Sequence, residues 1–172
     1  LLGVLLQTGT DLPGQLRTLD ARLGGALSRA VQRGDFRGAR DETLHFDGGE
    51  SGAGRVLLIG LGTPAADAPA AAFRRGAALL ARQGHRMGAG ALAAVAPGAG
   101  NDTIESMVVG LAMGAWEYVD LKTPPPEVER KKPLTRAIIV TNDSKAAKDA
   151  LSRGEAIAAG YEVARRLAQM PG

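Results

Sequence analysis

The side chains that most readily move protons or hold metals near neutral pH are scarce in this chain. It has two histidines, His45 and His85, and no cysteine. A catalytic zinc site gathers three imidazole, thiolate or carboxylate donors, often two of them from one helix face as in His-Glu-x-x-His. Neither histidine sits in such a pair. The local pattern predicts His45 on a strand facing solvent and His85 just past a helix end. The carboxylates are spread in the same way. Asp67 and Asp102 stand where helices begin, Asp47 and Glu50 in a loop, and Glu155 and Glu162 along a helix. No Gly-x-Ser-x-Gly elbow occurs, and Ser51 and Ser106 have no base near them in sequence. No residue of this chain is assigned a catalytic, cofactor-binding or metal-binding role.

Glycine loops offer a different chemistry, the cradling of phosphate. Gly60-Leu61-Gly62-Thr63-Pro64-Ala65 begins like a dinucleotide fingerprint, but Ala65 replaces the third glycine and Pro64 breaks the turn. No Gly-Lys-Ser/Thr follows, so there is no Walker loop. Pro97-Gly98-Ala99-Gly100-Asn101 lies between a predicted strand and a helix N-terminus, where free N–H groups attract anions. A plain strand-to-helix turn accounts for the same residues. Arg130-Lys131-Lys132 could touch phosphate or form a solvated loop.

Composition narrows the partners. The net charge is +3, with basic and acidic residues interspersed, which describes a soluble surface better than a nucleic-acid footprint. Aromatic residues make up 3%, too few for a base-stacking single-strand binder. No apolar run approaches the roughly 20 residues that span a bilayer, so no membrane partner is expected. Leu1 to Leu6 is short with no basic stretch before it, and a signal peptide is not expected. The lack of cysteine fits a reducing compartment.

The elements that must position these groups follow from periodicity. The organising stretch is Arg55-Val56-Leu57-Leu58-Ile59-Gly60-Leu61-Gly62. Its unbroken apolar run, Val56 to Ile59, predicts a strand covered on both faces, taken as the central one and ended by the glycines. Leu1 to Leu6 predicts a first strand. Leu16, Leu19, Leu23, Leu27 and Ala30 recur every three or four residues and predict one helix from Gly14 or Gln15 to Arg33, stopped by Gly34. Glu42 to Phe46 predicts a strand, and Asp47 to Gly54 a hairpin loop into the central strand. A second helix is capped by Asp67, carries Pro69 in its first turn and ends near Gly84; Gly90 to Ala96 predicts another strand. Asn101-Asp102 opens a third helix, with Asp102 and Glu105 at capping-box spacing. Lys122 to Pro133 reads as an extended loop, held by Pro124-Pro125-Pro126. Ala137 to Val140 predicts a further strand of the same sheet. Asn142-Asp143-Ser144 then caps a helix to about Met170, with Ala147, Leu151, Gly154, Ala158, Tyr161 and Ala168 on one face. At about 27 residues it spans on the order of 40 Å, more than a sheet of this size needs. The order β-α-β-β-α-β-α-β-α predicts a three-layer α/β/α domain with a mixed, mostly parallel sheet over residues 1–143, followed by the long helix over 144–172.

Four stretches, in order, resemble the N-terminal domain of the leucyl aminopeptidase family, the cytosolic dinuclear-zinc M17 peptidases. They are Leu23-Gly24-Gly25-Ala26-Leu27 with Gly34-Asp35-Phe36-Arg37-Gly38; Arg55 to Gly62; Gly110-Leu111-Ala112-Met113-Gly114-Ala115-Trp116-Glu117-Tyr118; and Ala164-Arg165-Arg166-Leu167-Ala168-Gln169-Met170-Pro171. Trp116 stands where the family has Tyr or Phe, Arg166 where it has Asp, and Gln169 where it has Asn. The resemblance implies a macro-like α/β/α fold and a long helix leading to a catalytic domain. It implies that the Lys, Asp and Glu ligands of two divalent ions (zinc or manganese), and an Asn-Thr-Asp-Ala-Glu-Gly-Arg-Leu signature, lie in that other domain. Lys122, Lys131 and Lys145 match none of those motifs. It further implies a cytoplasmic hexamer acting on peptides, with this domain supporting assembly and access to the active sites. Two other readings stay open: a stand-alone module holding a phosphorylated nucleotide at Gly98 to Asn101, and an accessory nucleic-acid contact through the basic positions.

Overall fold

The computed structural model describes residues 1–9, 11–63, 69–97, 100–117, 123, 126–130, 132–141 and 144–169. Five strands, β1 (Leu2–Gln7), β2 (Thr43–Asp47), β3 (Arg55–Gly62), β4 (Ala91–Val95) and β5 (Arg136–Val140), form one sheet in the order β2-β3-β1-β4-β5. Only β2 runs antiparallel, as the hairpin partner of β3, pairing Phe46 with Val56 and Leu44 with Leu58. The remaining pairs are parallel. The sheet therefore corrects one expectation: β1 occupies the middle, and β3 lies second from an edge. Val56, Leu57, Leu58 and Ile59 are nonetheless fully buried, because β3 has a strand on each side and a layer on each face.

Strand alternation sorts the core into two halves. Val4, Leu6, Val56 and Leu58 point to one face, where they meet Leu16, Leu27 and Phe36. Leu5, Leu57, Ile59, Leu61, Leu92 and Ala94 point to the other, where Phe73, Ala77, Leu80, Met107 and Leu111 cover them. Each buried Val, Leu, Ile, Phe or Met among them contributes about 1.5–3 kcal/mol on burial. The first face carries α1 (Arg17–Arg22) and α2 (Ala26–Arg33); the second carries α3 (Pro69–Arg86) and α4 (Asn101–Ala115), and α5 (Ser144–Gln169) lies against α4. The α3–α4 seam is tight: a Cβ at Gly110 or Gly114 would strike the carbonyl oxygens of Arg74 and Ala78.

The single helix expected before Gly34 is two. Gly24 and Gly25 take φ of +61° and +78°, a left-handed pair that breaks the i→i−4 ladder. The restart is capped from across the break, where Asp20 Oδ1 accepts from the N–H groups of Leu27 at 2.9 Å and Ser28 at 3.1 Å. Gly34 does stop α2, with φ +76° and the Asp35 N–H on the Ala30 carbonyl at 2.9 Å.

Other boundaries shift for physical reasons. The expected capping box in α4 is absent: the N-cap is Gly100, with no side-chain cap, and Glu105 instead binds Arg153 Nε at 2.7 Å. The Glu105 carboxylate also holds the Arg153 guanidinium pKa above its ordinary value. β5 joins the sheet as expected but at an edge, with Ile138 and Val140 42% and 50% exposed, since the first-face cluster reaches no further than Val95. On α5 the inward residues are Ala150 and Gly154, flanked by half-buried Ala147 and Ala158; Leu151 is exposed. A helix seated on one other helix needs only this narrow seam of small residues. The proposed caps at Asp67 and Asn142-Asp143, the loop prolines Pro124 and Pro125, and the helix end at Met170 lie outside the described residues.

Candidate functional site

The groups that could do chemistry are scattered by the fold. His45 is exposed on β2. His85 lies inside the last turn of α3, not past its end, with Nε2 3.1 Å from Glu117 Oε1. Ser51 closes a 3-10 turn, and its Oγ accepts from the Ala53 N–H at 3.3 Å. Ser106 is within α4. Asp47 accepts from the Gly49 N–H at 3.0 Å in the hairpin loop, and the exposed Asp102 lies on α4 while the exposed Glu155 and Glu162 lie two turns apart on α5. Among the described residues no three of His, Asp or Glu come together in a metal-binding group.

The glycines of the fingerprint-like stretch have another use. Both Gly60 and Gly62 lie within β3, which runs three residues past the end of the apolar run at Ile59. Their N–H groups donate to the carbonyls of Glu42 at 2.8 Å and Gly38 at 2.9 Å, so neither is left for a phosphate. Gly38 lies so close to the Gln7 backbone that a Cβ there would collide with it. Glu42 organises the same loop: its Oε2 accepts from the N–H groups of Arg37 and Ala39, both at 2.9 Å. Arg75 ties the loop to α3 and the sheet, through Nε to Asp41 Oδ1 at 2.9 Å and Nη2 to the Leu61 carbonyl at 2.8 Å.

This loop forms one wall of a cleft of about 790 Å³ at the carboxyl end of β1. Gln7, Thr8, Asp11, Gln15, Arg37 and Pro97 are at its rim, above a floor that includes Leu5, Phe36 and Phe73. The chain from β1 continues to the β2–β3 side, whereas the chain from β3 crosses to β4 on the other side. The cleft thus sits at the topological switch point, where open α/β sheets place ligands. Its chemistry is mixed. Arg37 and Asp11 supply opposite charges, and Thr8 Oγ1 is donated to the Gly38 carbonyl at 3.2 Å. No buried polar or charged side chain is found among the described residues to aim at a ligand. Gly100 and Asn101 begin α4, as the anion-loop reading requires, while Gly98 and Ala99 lie outside the described residues, as does Lys131. Arg37 had no role in the sequence reading; its place after the buried Phe36 in the Gly34–Gly38 exit was the available signal.

A second surface is the outer side of α5. Val163 and Leu167 are 59% and 64% exposed, one turn apart, facing away from α4, and Ile157 and Tyr161 are also exposed. A helix with apolar groups on two sides and one neighbour has an apolar face without a partner among the described residues. No helix described is long and apolar enough to cross a membrane.

A mixed five-stranded sheet between helical layers, with a cleft at its switch point and no assembled metal or hydrolytic centre among the described residues, defines a three-layer α/β/α domain. Residues 3–125 match the family model described as the cytosol aminopeptidase family, N-terminal domain, and the chain belongs to that family. A probable cytosol aminopeptidase of Syntrophotalea carbinolica is 35% identical over 100% of this chain and 36% of its own length. One from Alkalilimnicola ehrlichii is 28% identical over 91% of this chain and 33% of its own length. A tomato leucine aminopeptidase mutant superposes with a TM-score of 0.76 at 20% identity, over 99% of this chain and 35% of the other. The bottromycin maturation enzyme BotP, solved in complex with Mn, gives 0.69 at 22% identity, over 99% of this chain and 32% of the other. The chain spans about a third of the length of these relatives.

Proposed function

We propose that this chain is the non-catalytic N-terminal domain of a metal-dependent leucyl aminopeptidase that releases N-terminal residues from peptides. The observation that carries the reading is coverage: the whole chain aligns with about a third of a probable cytosol aminopeptidase. The dispersal of acidic and imidazole groups agrees with it. A dinuclear site needs several donors converging on two ions about 3.5–4 Å apart. The described residues do not fit such a pair, and we derive no step of hydrolysis through them. In this reading both metal ions, zinc or manganese, belong to the catalytic portion. Residues 1–143 form the α/β/α domain, and 144–172 lead toward that portion, which covers the apolar outer side of α5. The domain supports a cytoplasmic hexamer and shapes access to its active sites. The test is to purify the chain, add excess zinc or manganese, and assay a leucine anilide. No metal-dependent turnover is expected. Turnover abolished by a chelator, and retained after contaminating peptidases are removed, overturns the non-catalytic role.

The position of the cleft favours one second reading, a module that binds a phosphorylated nucleotide. Asp11 on the rim opposes it by repelling phosphate.

A further inference from the structure

Arg165 stands apart from the rest of the outer half of α5. From Glu155 to Gln169 every residue is exposed except Ala158 and Arg165. Packing there is loose. A gap of about 240 Å³ lies between α4 and α5, lined by Val108, Ala112, Met113, Ala158 and Tyr161 among others. Arg165 bridges it. Its Nη1 donates to the Met113 carbonyl at 3.1 Å, and its Cζ lies 5.4 Å from the centroid of the Trp116 ring.

Three effects converge on this one side chain. Met113 is in the last turn of α4, whose carbonyls lack partners within the helix. The Trp116 N–H closes the Ala112 carbonyl at 3.1 Å, and Arg165 serves that of Met113. A cation at a helix C-terminus also meets the negative end of the helix dipole. The guanidinium lies within the range at which a ring face attracts a cation. Lysine could reach the carbonyl as a point charge, but it lacks the planar fork that bonds and stacks together.

We propose that Arg165 is a positioning residue, clamping the outer half of α5 to the C-terminus of α4 and so setting the direction in which α5 leaves the domain. The inner half needs no such device, because Ala150 is buried and Gly154 lets α5 approach Val108 and the Glu105 carbonyl closely. The clamp stands on this geometry alone. Its consequence for hydrolysis rests on the reading that α5 leads to the catalytic portion.

The experiment compares the chain with its R165M and R165K variants by hydrogen exchange and by acrylamide quenching of Trp116, the single tryptophan. In R165M, amides of 158–169 are expected to exchange about tenfold faster while those of Leu57 to Ile59 keep their rates. Quenching should rise, and R165K should recover part of the protection. Unchanged exchange in R165M overturns the clamp. So does equal acceleration in β3, which would make Arg165 a contributor to global stability only. In the full-length protein, R165M should lower kcat about tenfold with KM little moved, as expected when a reacting group is misplaced. An unchanged kcat removes the positioning role. If the unaltered full-length protein fails to cleave a leucine anilide, the aminopeptidase reading falls, and the exchange result still decides the clamp.

Discussion

Asp20 caps a helix to which it does not belong: its Oδ1 accepts the backbone N–H of Ser28 at 3.1 Å, and its Oδ2 accepts the Ser28 hydroxyl. The left-handed pair Gly24-Gly25 makes this possible by folding α2 back toward α1. The carboxylate then satisfies two N–H groups that the broken ladder leaves open, those of Leu27 and Ser28.

Replacing Asp20 with Ala should therefore cost about 1 kcal/mol, within the roughly 0.5–2 kcal/mol seen for lost N-caps. Asparagine should lose less, since it keeps an acceptor. Urea unfolding of the three proteins at one pH measures this. Equal midpoints would mean that water replaces the cap at no cost.

Leu58 is fully buried, and its alternation places it in the core under α2. L58D would bury a carboxylate without a partner and should prevent folding. L58A should fold with a loss of about 2–5 kcal/mol. A soluble L58D with an unchanged melting temperature would contradict the placement of β3.

Two helical glycines should respond in opposite directions. A methyl at Gly110 meets the Arg74 carbonyl across the α3–α4 seam, so G110A should destabilise by about 1–3 kcal/mol through overpacking. At Gly160 a Cβ finds open space, and G160A should stabilise by roughly 0.5–1 kcal/mol through helix propensity. Thermal unfolding of both variants is the check. Equal shifts would contradict the close approach of α3 and α4.

The cleft separates the two functional readings. Titrating ADP-ribose or a mononucleotide into the chain should give no saturable heat. Micromolar binding that is lost in R37E would replace the accessory-domain reading with the ligand-module one, because Arg37 is the cation on that rim.

Much of the fold was legible locally. The apolar run at Val56 to Ile59 marked a strand buried on both faces, and Asp47 to Gly54 marked the hairpin that pairs β2 with β3. Gly34 marked the end of α2 by its backbone freedom. The break at Gly24-Gly25 was less legible, because the leucine spacing on either side continues in phase as though the helix ran through. The cleft was not legible at all. Its walls come from residues after β1, before β2 and after β4, which share no pattern in sequence.

The sequence by itself determined the order of elements apart from the break at Gly24-Gly25, the two faces of each buried strand and the family, since these depend on backbone preference, hydrophobic period and short motifs. Tertiary structure alone decided that β1 and not β3 lies in the middle, that Glu105 binds Arg153 instead of capping its own helix, and that Arg165 ends at the carbonyl of Met113. The physical reason is range. A periodic pattern reports which side of an element avoids water, but a strand's neighbours and a long cation's acceptor are set by groups tens of residues away. Leu1 to Leu6 has the same apolar character whether it pairs on one side or on two; the crossover from β3 to β4 gives it the second neighbour.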